Sequence, residues 1–548
     1  MAVASWPTVA ARKGDLWLDE SKGIATLKTQ TRREFLAVAG AAAALPLAPT
    51  SAIAQASDAA QKASSLEYRT AEALLAALAA RQISAVELTN HAIARIELLD
   101  TRINAVVVRD FQRASAAAAD ADRALAAGER RPLLGLPMTV KEAFNVAGLP
   151  TTWGFPRGKD WRPAEDALIV ARAKAAGAIV LGKTNVPVAL ADWQSYNDIY
   201  GTTNNPWDLG RTPGGSSGGS AASLAAGYVS IELGSDIGGS LRVPAHFCGV
   251  FAHKPSQALV PGRGHTPPGV PALPVDTDLA VVGPMARTAR DLELLLNVIA
   301  GPDEPMAIGY RLALPPPRHD DLKSFRVLVI DTHPLLPTAA SVRGAVERFA
   351  GRLAKAGPKV ARSSPLLPDL GTAARVYAQL LYSFFAADMP IERYRRIQEI
   401  AAALPAEDMS MAATRLRGFV LGHREWVAAN RVRAGLSQRW REFFREWDVV
   451  VCPNMPTPAF PHDHTPESTR RIAIDDKDNA YGDQVVWAGV ATLAGLPATA
   501  IPLEQTDTGL PVGVQVVGPY LEDRTTLAFA RLVEREFGGF VPPPALGG

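Results

Sequence analysis

Two glycine-dense clusters constrain this chain more than any other feature. The first is Thr212-Pro213-Gly214-Gly215-Ser216-Ser217-Gly218-Gly219-Ser220, and the second is Gly234-Ser235-Asp236-Ile237-Gly238-Gly239-Ser240-Leu241-Arg242. Ordering so many glycines costs chain entropy. In a folded chain they therefore mark unusual backbone angles or a close approach of the main chain to something else. The alternative is a flexible Gly/Ser linker. Both clusters are flanked by apolar, foldable sequence and the second is specifically patterned, which favours built loops.

Around the clusters, helical and strand periods alternate. Helices are expected over 70–98, with Ser84 capping a second helix, and over 112–127, 164–176, 220–228, 341–356 and 525–537. Strands are expected over 136–140, ending at Lys141, and over 178–181, 229–233, 325–330 and 447–452. The Pro/Gly-rich stretches 261–274 and 314–317 read as loops. This alternation predicts an α/β fold, with a central mixed sheet covered by helices. No repeat, heptad array or clear linker interrupts it. One large catalytic domain is therefore expected over 57–548, behind an N-terminal extension over 1–56.

Charge gives no reason to expect nucleic acid or an anionic membrane as partner, since 57 basic residues face 55 acidic ones. The two cysteines, Cys248 and Cys452, offer neither a disulfide framework nor a cysteine-rich metal site. The extension is more specific. Thr31-Arg32-Arg33-Glu34-Phe35-Leu36 precedes a small apolar run over 37–47 and then Ala52-Ile53-Ala54, an A-x-A cleavage pattern. The run is shorter than the roughly 20 residues that span a bilayer. The paired arginines predict a twin-arginine signal and a periplasmic product, with a cytoplasmic product if the signal is not used. No other segment reads as an integral membrane span.

Single motifs compete for the chemistry. Gly177-Ala178-Ile179-Val180-Leu181-Gly182-Lys183-Thr184 fits a phosphate-binding loop pattern, but its four intervening residues are wholly apolar and read as a strand. Gly215-Ser216-Ser217-Gly218-Gly219 fits G-x-S-x-G, with Ser217 as nucleophile. That elbow should follow a strand directly, whereas turn sequence precedes it here. It would also need a histidine, and His333, His423, His462 and His464 sit in no telling context.

Taken together, the clusters resemble the amidase signature family, matched by 214–226 and 234–255. That family's lysine-bearing strand end, G-[VL]-P-x-x-[VL]-K-E, is matched by Gly135-Leu136-Pro137-Met138-Thr139-Val140-Lys141-Glu142. Further matches are Gly182-Lys183-Thr184-Asn185, Gly283-Pro284-Met285-Ala286-Arg287-Thr288, Ala494-Gly495-Leu496-Pro497 and Gly513-Val514-Gln515-Val516-Val517-Gly518. They run in order through nearly all of the chain after the extension.

The resemblance implies hydrolysis of an amide to acid plus amine or ammonia, with no metal or organic cofactor. Ser240 would be the nucleophile, Ser216 the bridging serine on a cis Gly215–Ser216 peptide, and Lys141 the base. A serine hydroxyl attacks well only when a neighbour takes its proton. A lysine can do so only when neutral, well below its ordinary value of about 10.4. Burial away from water and carboxylates achieves that. Lys141 is therefore expected to be buried with Glu142 turned elsewhere; a solvated Lys–Glu pair is the alternative. Backbone N–H groups of Ile237, Gly238, Gly239 and Ser240 would receive the oxyanion. Asp236 and Arg242 would hold that loop, and Ser217 would serve either the site or the structure.

Departures from the family pattern are Ala252 in place of a usual glycine and Ala258-Leu259 in place of a common Gly-Arg. Val485 stands where the amidotransferase member of the family, which works on tRNA, usually carries an acid; this argues against a glutamine-using partner enzyme. The aromatic stripe Tyr377, Tyr382, Phe384, Phe385 and Met389 would line an acyl or aryl pocket or simply pack in the core, and Trp153 and Trp193 are further wall candidates. The expected substrate is a small, apolar amide; a homodimer is left open. Two other readings stand: a serine esterase or carbamate hydrolase, and a non-catalytic subunit on the same fold.

Overall fold

A computed structural model describes residues 66–544; the expected leader over 31–54 lies outside the described residues. The core is one mixed sheet of eleven strands, here numbered along the chain. These are β1 (Val106–Arg109), β2 (Pro137–Lys141), β3 (Ile179–Thr184), β4 (Ile231–Asp236), β5 (Phe251–Lys254) and β6 (Val281–Ala286). They continue with β7 (Arg326–Val329), β8 (Lys359–Ala361), β9 (Val449–Pro453), β10 (Ala498–Gln505) and β11 (Pro511–Val517). Their spatial order is β1-β3-β2-β4-β6-β5-β10-β11-β9-β7-β8. Runs such as Val449-Val450-Val451-Cys452 are buried throughout, as strands covered on both faces must be.

The expected α/β architecture is present, and the local signals behind it are visible. Ser84 caps the Ala85–Ile103 helix with a full capping box to Glu87. From Ile179 on, the phosphate-loop pattern is indeed strand β3, and the next element is a single 3-10 turn, Val188–Leu190, rather than the α-helix such a loop needs. Other strands were not expected. β5 and β6 contain His253, Lys254, Gly283 and Pro284, a poor strand composition that the surrounding sheet overrides. A side chain at Gly283 would lie 2.3 Å from the His253 carbonyl oxygen, so close strand contact demands glycine there.

Register places the chemistry. β2 and β4 are parallel neighbours, with Thr139 opposite Glu232 and Val140 opposite Leu233. Parallel strands share one carboxyl edge, so Lys141 at the end of β2 emerges beside Ser235 and Asp236 at the end of β4. In open α/β sheets this edge is where ligands bind. The first glycine cluster reaches the same edge and enters the Gly218–Ala225 helix; the second leaves β4 and enters the Arg242–Cys248 helix. Neither is a linker. A side chain at Gly215 would fall 2.4 Å from the Asp192 carbonyl, and one at Gly219 would fall 2.4 Å from the Asn185 amide nitrogen.

Candidate active site

Lys141 is fully buried, and its Nζ lies 2.7 Å from Ser216 Oγ and 2.9 Å from Ser235 Oγ. Burial lowers it to about 7, although the charges of Asp236 and Glu232 act to raise it. Desolvation therefore wins over two nearby carboxylates. The expectation of an environment free of carboxylates was too strict: no acid bonds the amine, yet two act on it at a distance. Glu142 does turn away. Its carboxylate accepts the amides of Thr152 at 2.7 Å and Trp153 at 3.0 Å, and lies 3.9 Å from Lys183 Nζ.

Ser235 was not singled out by sequence reasoning. Its signal is positional: it precedes Asp236 on β4, and only the parallel pairing with β2 brings it to Lys141. The Gly215–Ser216 peptide is cis, as the resemblance implied, and no other cis bond occurs among the described residues. Ser217 joins the two clusters. Its amide donates to the Ser240 carbonyl at 3.2 Å, and its hydroxyl donates to the Ser235 carbonyl at 3.3 Å. All four serines are buried, Ser240 being 5% exposed and Ser216 1%. Among the described residues no histidine hydrogen-bonds to Ser216, Ser217 or Ser240.

The loop before Ser240 is held by a buried ion pair. Asp236 Oδ1 accepts the Gly239 amide at 2.9 Å and Arg242 at 2.8 Å; Oδ2 accepts the Leu241 amide at 3.1 Å and Arg242 Nε at 3.0 Å. Burial pushes Asp236 up, but the Arg242 guanidinium overrides it and holds the carboxylate at about 2. Arg242 is itself fixed by Gln515 Oε1 at 2.7 Å, Thr492 Oγ1 at 2.8 Å and the Ala488 carbonyl at 3.1 Å. The Gly239 N–H is thus committed to Asp236. This narrows the expected oxyanion donors to Ile237, Gly238 and Ser240, whose amides meet no such partner among the described residues.

Residues of the aromatic stripe take different places. Tyr377, on the Leu370–Phe385 helix, is wholly buried, and its hydroxyl donates to the Ile237 carbonyl at 2.6 Å. Tyr382 packs edge-on against Phe419, with ring centroids 4.9 Å apart, and Phe384 faces solvent. Trp193 Nε1 donates to the Gly238 carbonyl at 2.8 Å, while Trp153 Nε1 donates to the Ala143 carbonyl at 3.0 Å.

Comparison with known proteins identifies the family. The amidase family model matches residues 87–527. The putative amidase AmiB2 of Mycobacterium tuberculosis (strain ATCC 25618 / H37Rv) is 34% identical, over 80% of this chain and 90% of its own. Fatty-acid amide hydrolase 2-A of Danio rerio is 31% identical, over 84% of this chain and 87% of its own. A bacterial aryl acylamidase structure shares the fold at a TM-score of 0.71 and 24% identity, covering 86% of this chain and 97% of its own. The chain belongs to the amidase family and is a hydrolase of carbon–nitrogen amide bonds.

Proposed function

We propose that this amidase cleaves its substrate through an acyl-enzyme on Ser240, with Ser216 and Lys141 as the proton relay. The observation that carries the reading is the placement of Lys141: a fully buried amine whose hydrogen-bond partners are two serine hydroxyls and no carboxylate. The neutral amine accepts the Ser216 proton while Ser216 takes that of Ser240, and the Ser240 oxygen attacks the amide carbon. The carbonyl electrons move onto oxygen, toward the amides of Ile237, Gly238 and Ser240. A well-placed donor of this kind contributes roughly 3 kcal/mol to the transition state. Lys141 then returns its proton through Ser216 to the departing nitrogen, because an amine leaves poorly unless protonated. Water repeats the relay on the ester, releasing the acid and restoring Ser240. Asp236 and Arg242 keep the loop in shape, and Ser217 ties the two clusters together.

The substrate in this reading is a small apolar amide. Val485, buried where the tRNA amidotransferase usually has an acid, supports a stand-alone hydrolase over a glutamine-using partner enzyme. The test is a screen of aliphatic, aryl and peptide amides, with carbamates and esters alongside, using mass readout on the purified chain. Turnover of esters alone would overturn the amide reading. We also propose that the domain over 57–548 is delivered to the periplasm by Arg32-Arg33 and the apolar run behind it. No helix among the described residues is long and apolar enough to cross a membrane. A reporter fused to residues 1–60 should be exported, and unchanged export after Lys-Lys replacement would contradict this.

A further inference from the structure

We infer that Tyr377 is a positioning residue that aims the Gly238 amide at the developing oxyanion. The inference rests on the proposed role of Ser240 and extends it to a residue on a distant helix.

In a planar trans peptide, the C=O of one residue and the N–H of the next point in opposite directions. The Ile237–Gly238 bond is trans, since the cis bond among the described residues is Gly215–Ser216. Tyr377 holds the Ile237 oxygen at 2.6 Å, so the Gly238 N–H of the same unit must point away from the phenol. No acceptor among the described residues meets it there. A side chain at Gly238 would touch nothing nearer than the Tyr377 hydroxyl at 4.0 Å, which places this unit at an open face.

The next peptide is the internal control. Its carbonyl, that of Gly238, accepts Trp193 Nε1 at 2.8 Å, and its N–H, that of Gly239, goes to Asp236 Oδ1 at 2.9 Å. Both ends are satisfied within the protein, so Trp193 braces a structural unit. Tyr377 fixes one end of a unit whose other end is unused. Two similar aromatic contacts thus have different consequences.

Tyr377 is itself held rigidly. Its ring lies against Gly489 of the Val485–Thr492 helix, where an added Cβ would fall 2.6 Å from the ring Cδ1. Burial raises the phenol above its ordinary value, so it stays a donor throughout the working pH range.

The experiment compares wild type, Tyr377→Phe and Gly489→Ala on the best amide from the screen. A medium-chain alkyl trifluoromethyl ketone is the second probe. Ser240 adds to that ketone, its proton passes to the relay, and the ketone oxygen becomes an anion facing the same amides. Tyr377→Phe should lower kcat by about 10- to 100-fold, part of the loss seen when an oxyanion donor is deleted. KM should stay within about threefold, and ketone affinity should fall by the same factor as kcat. The matching secondary alcohol, which forms no oxyanion, should bind unchanged. Gly489→Ala, which displaces the ring without altering the phenol, should move kcat and ketone affinity together in the same direction. A kcat within threefold of wild type in Tyr377→Phe would overturn the inference, as would a kcat loss with ketone affinity preserved. A wild-type enzyme that forms no ketone adduct would remove the Ser240 reading itself, and this inference with it.

Discussion

Lys141 and Lys254 sit in the same sheet, on β2 and β5, both fully buried and both lowered to about 7. Desolvation is the main cause in each, with the Arg242 charge adding to it at Lys254. Their partners differ. Lys254 Nζ donates to the carbonyls of Pro255 at 3.0 Å and Leu496 at 2.8 Å, groups that hold no proton to give. Lys141 faces two hydroxyls. Lys183, one strand from Lys141 and lowered by burial to about 8, has the Thr151 hydroxyl at 2.7 Å but also a carboxylate, Glu142, at 3.9 Å. A depressed lysine is therefore common in this core and marks no site by itself. In the proposed mechanism the base is Lys141, the one of these three whose hydrogen-bond partners are two serine hydroxyls and no carboxylate or carbonyl.

Removing each lysine in turn should separate their roles. Lys141→Ala should cost amide turnover about 10⁴-fold or more, as loss of a triad member does. Lys254→Met should leave kcat within about threefold. It should instead lower stability, by about 1–3 kcal/mol for each carbonyl left buried without a donor, read as a shift in denaturant midpoint. Equal losses of kcat in the two variants would erase the distinction. Next in size, Ser216→Ala should reduce kcat by about 10²- to 10⁴-fold, the usual range for a proton-transfer group. Ser235→Ala should cost less than about tenfold, which separates the relay hydroxyl from the supporting one.

Asp236→Asn tests the frame that carries the loop. Arg242 would be left buried without its counter-charge, at a cost of about 3–5 kcal/mol in denaturant titration. The smallest expected effect is in pH. Only neutral Lys141 accepts a proton, so kcat/KM should rise with pH through about 7. Glu232, buried and raised by desolvation to about 7, titrates in the same window. Its charge raises the Lys141 value, so Glu232→Gln should move the rising limb to lower pH without abolishing it. Loss of the limb in that variant would assign it to the glutamate.

Local signals made part of this legible in the sequence. Lys141 ends an apolar strand, Ser84 precedes a helical period, and the glycine clusters stand out by density alone. Ser235 was hidden because its contact with Lys141 depends on which strands pair, and no local pattern encodes the β2–β4 register. Strands β5 and β6 were hidden because His253, Lys254, Gly283 and Pro284 are tolerated only inside a sheet that satisfies or crowds them. The aromatic stripe was legible as a helix face, but the pattern could not distinguish a substrate wall from a phenol bonded to Ile237. The oxyanion loop was named as a block of four residues; that Gly239 gives its amide to Asp236 follows from backbone direction, which residue types alone do not carry.

In the proposed mechanism Ser240 becomes nucleophilic through a neutral Lys141. Site-resolved mass spectrometry of fluorophosphonate labelling tests it most directly, measured as a rate against pH in wild type and Lys141→Ala. An adduct on Ser240 should form faster as pH rises through about 7 and nearly vanish in the variant. An adduct on Ser217, or undiminished labelling of Lys141→Ala, would contradict it.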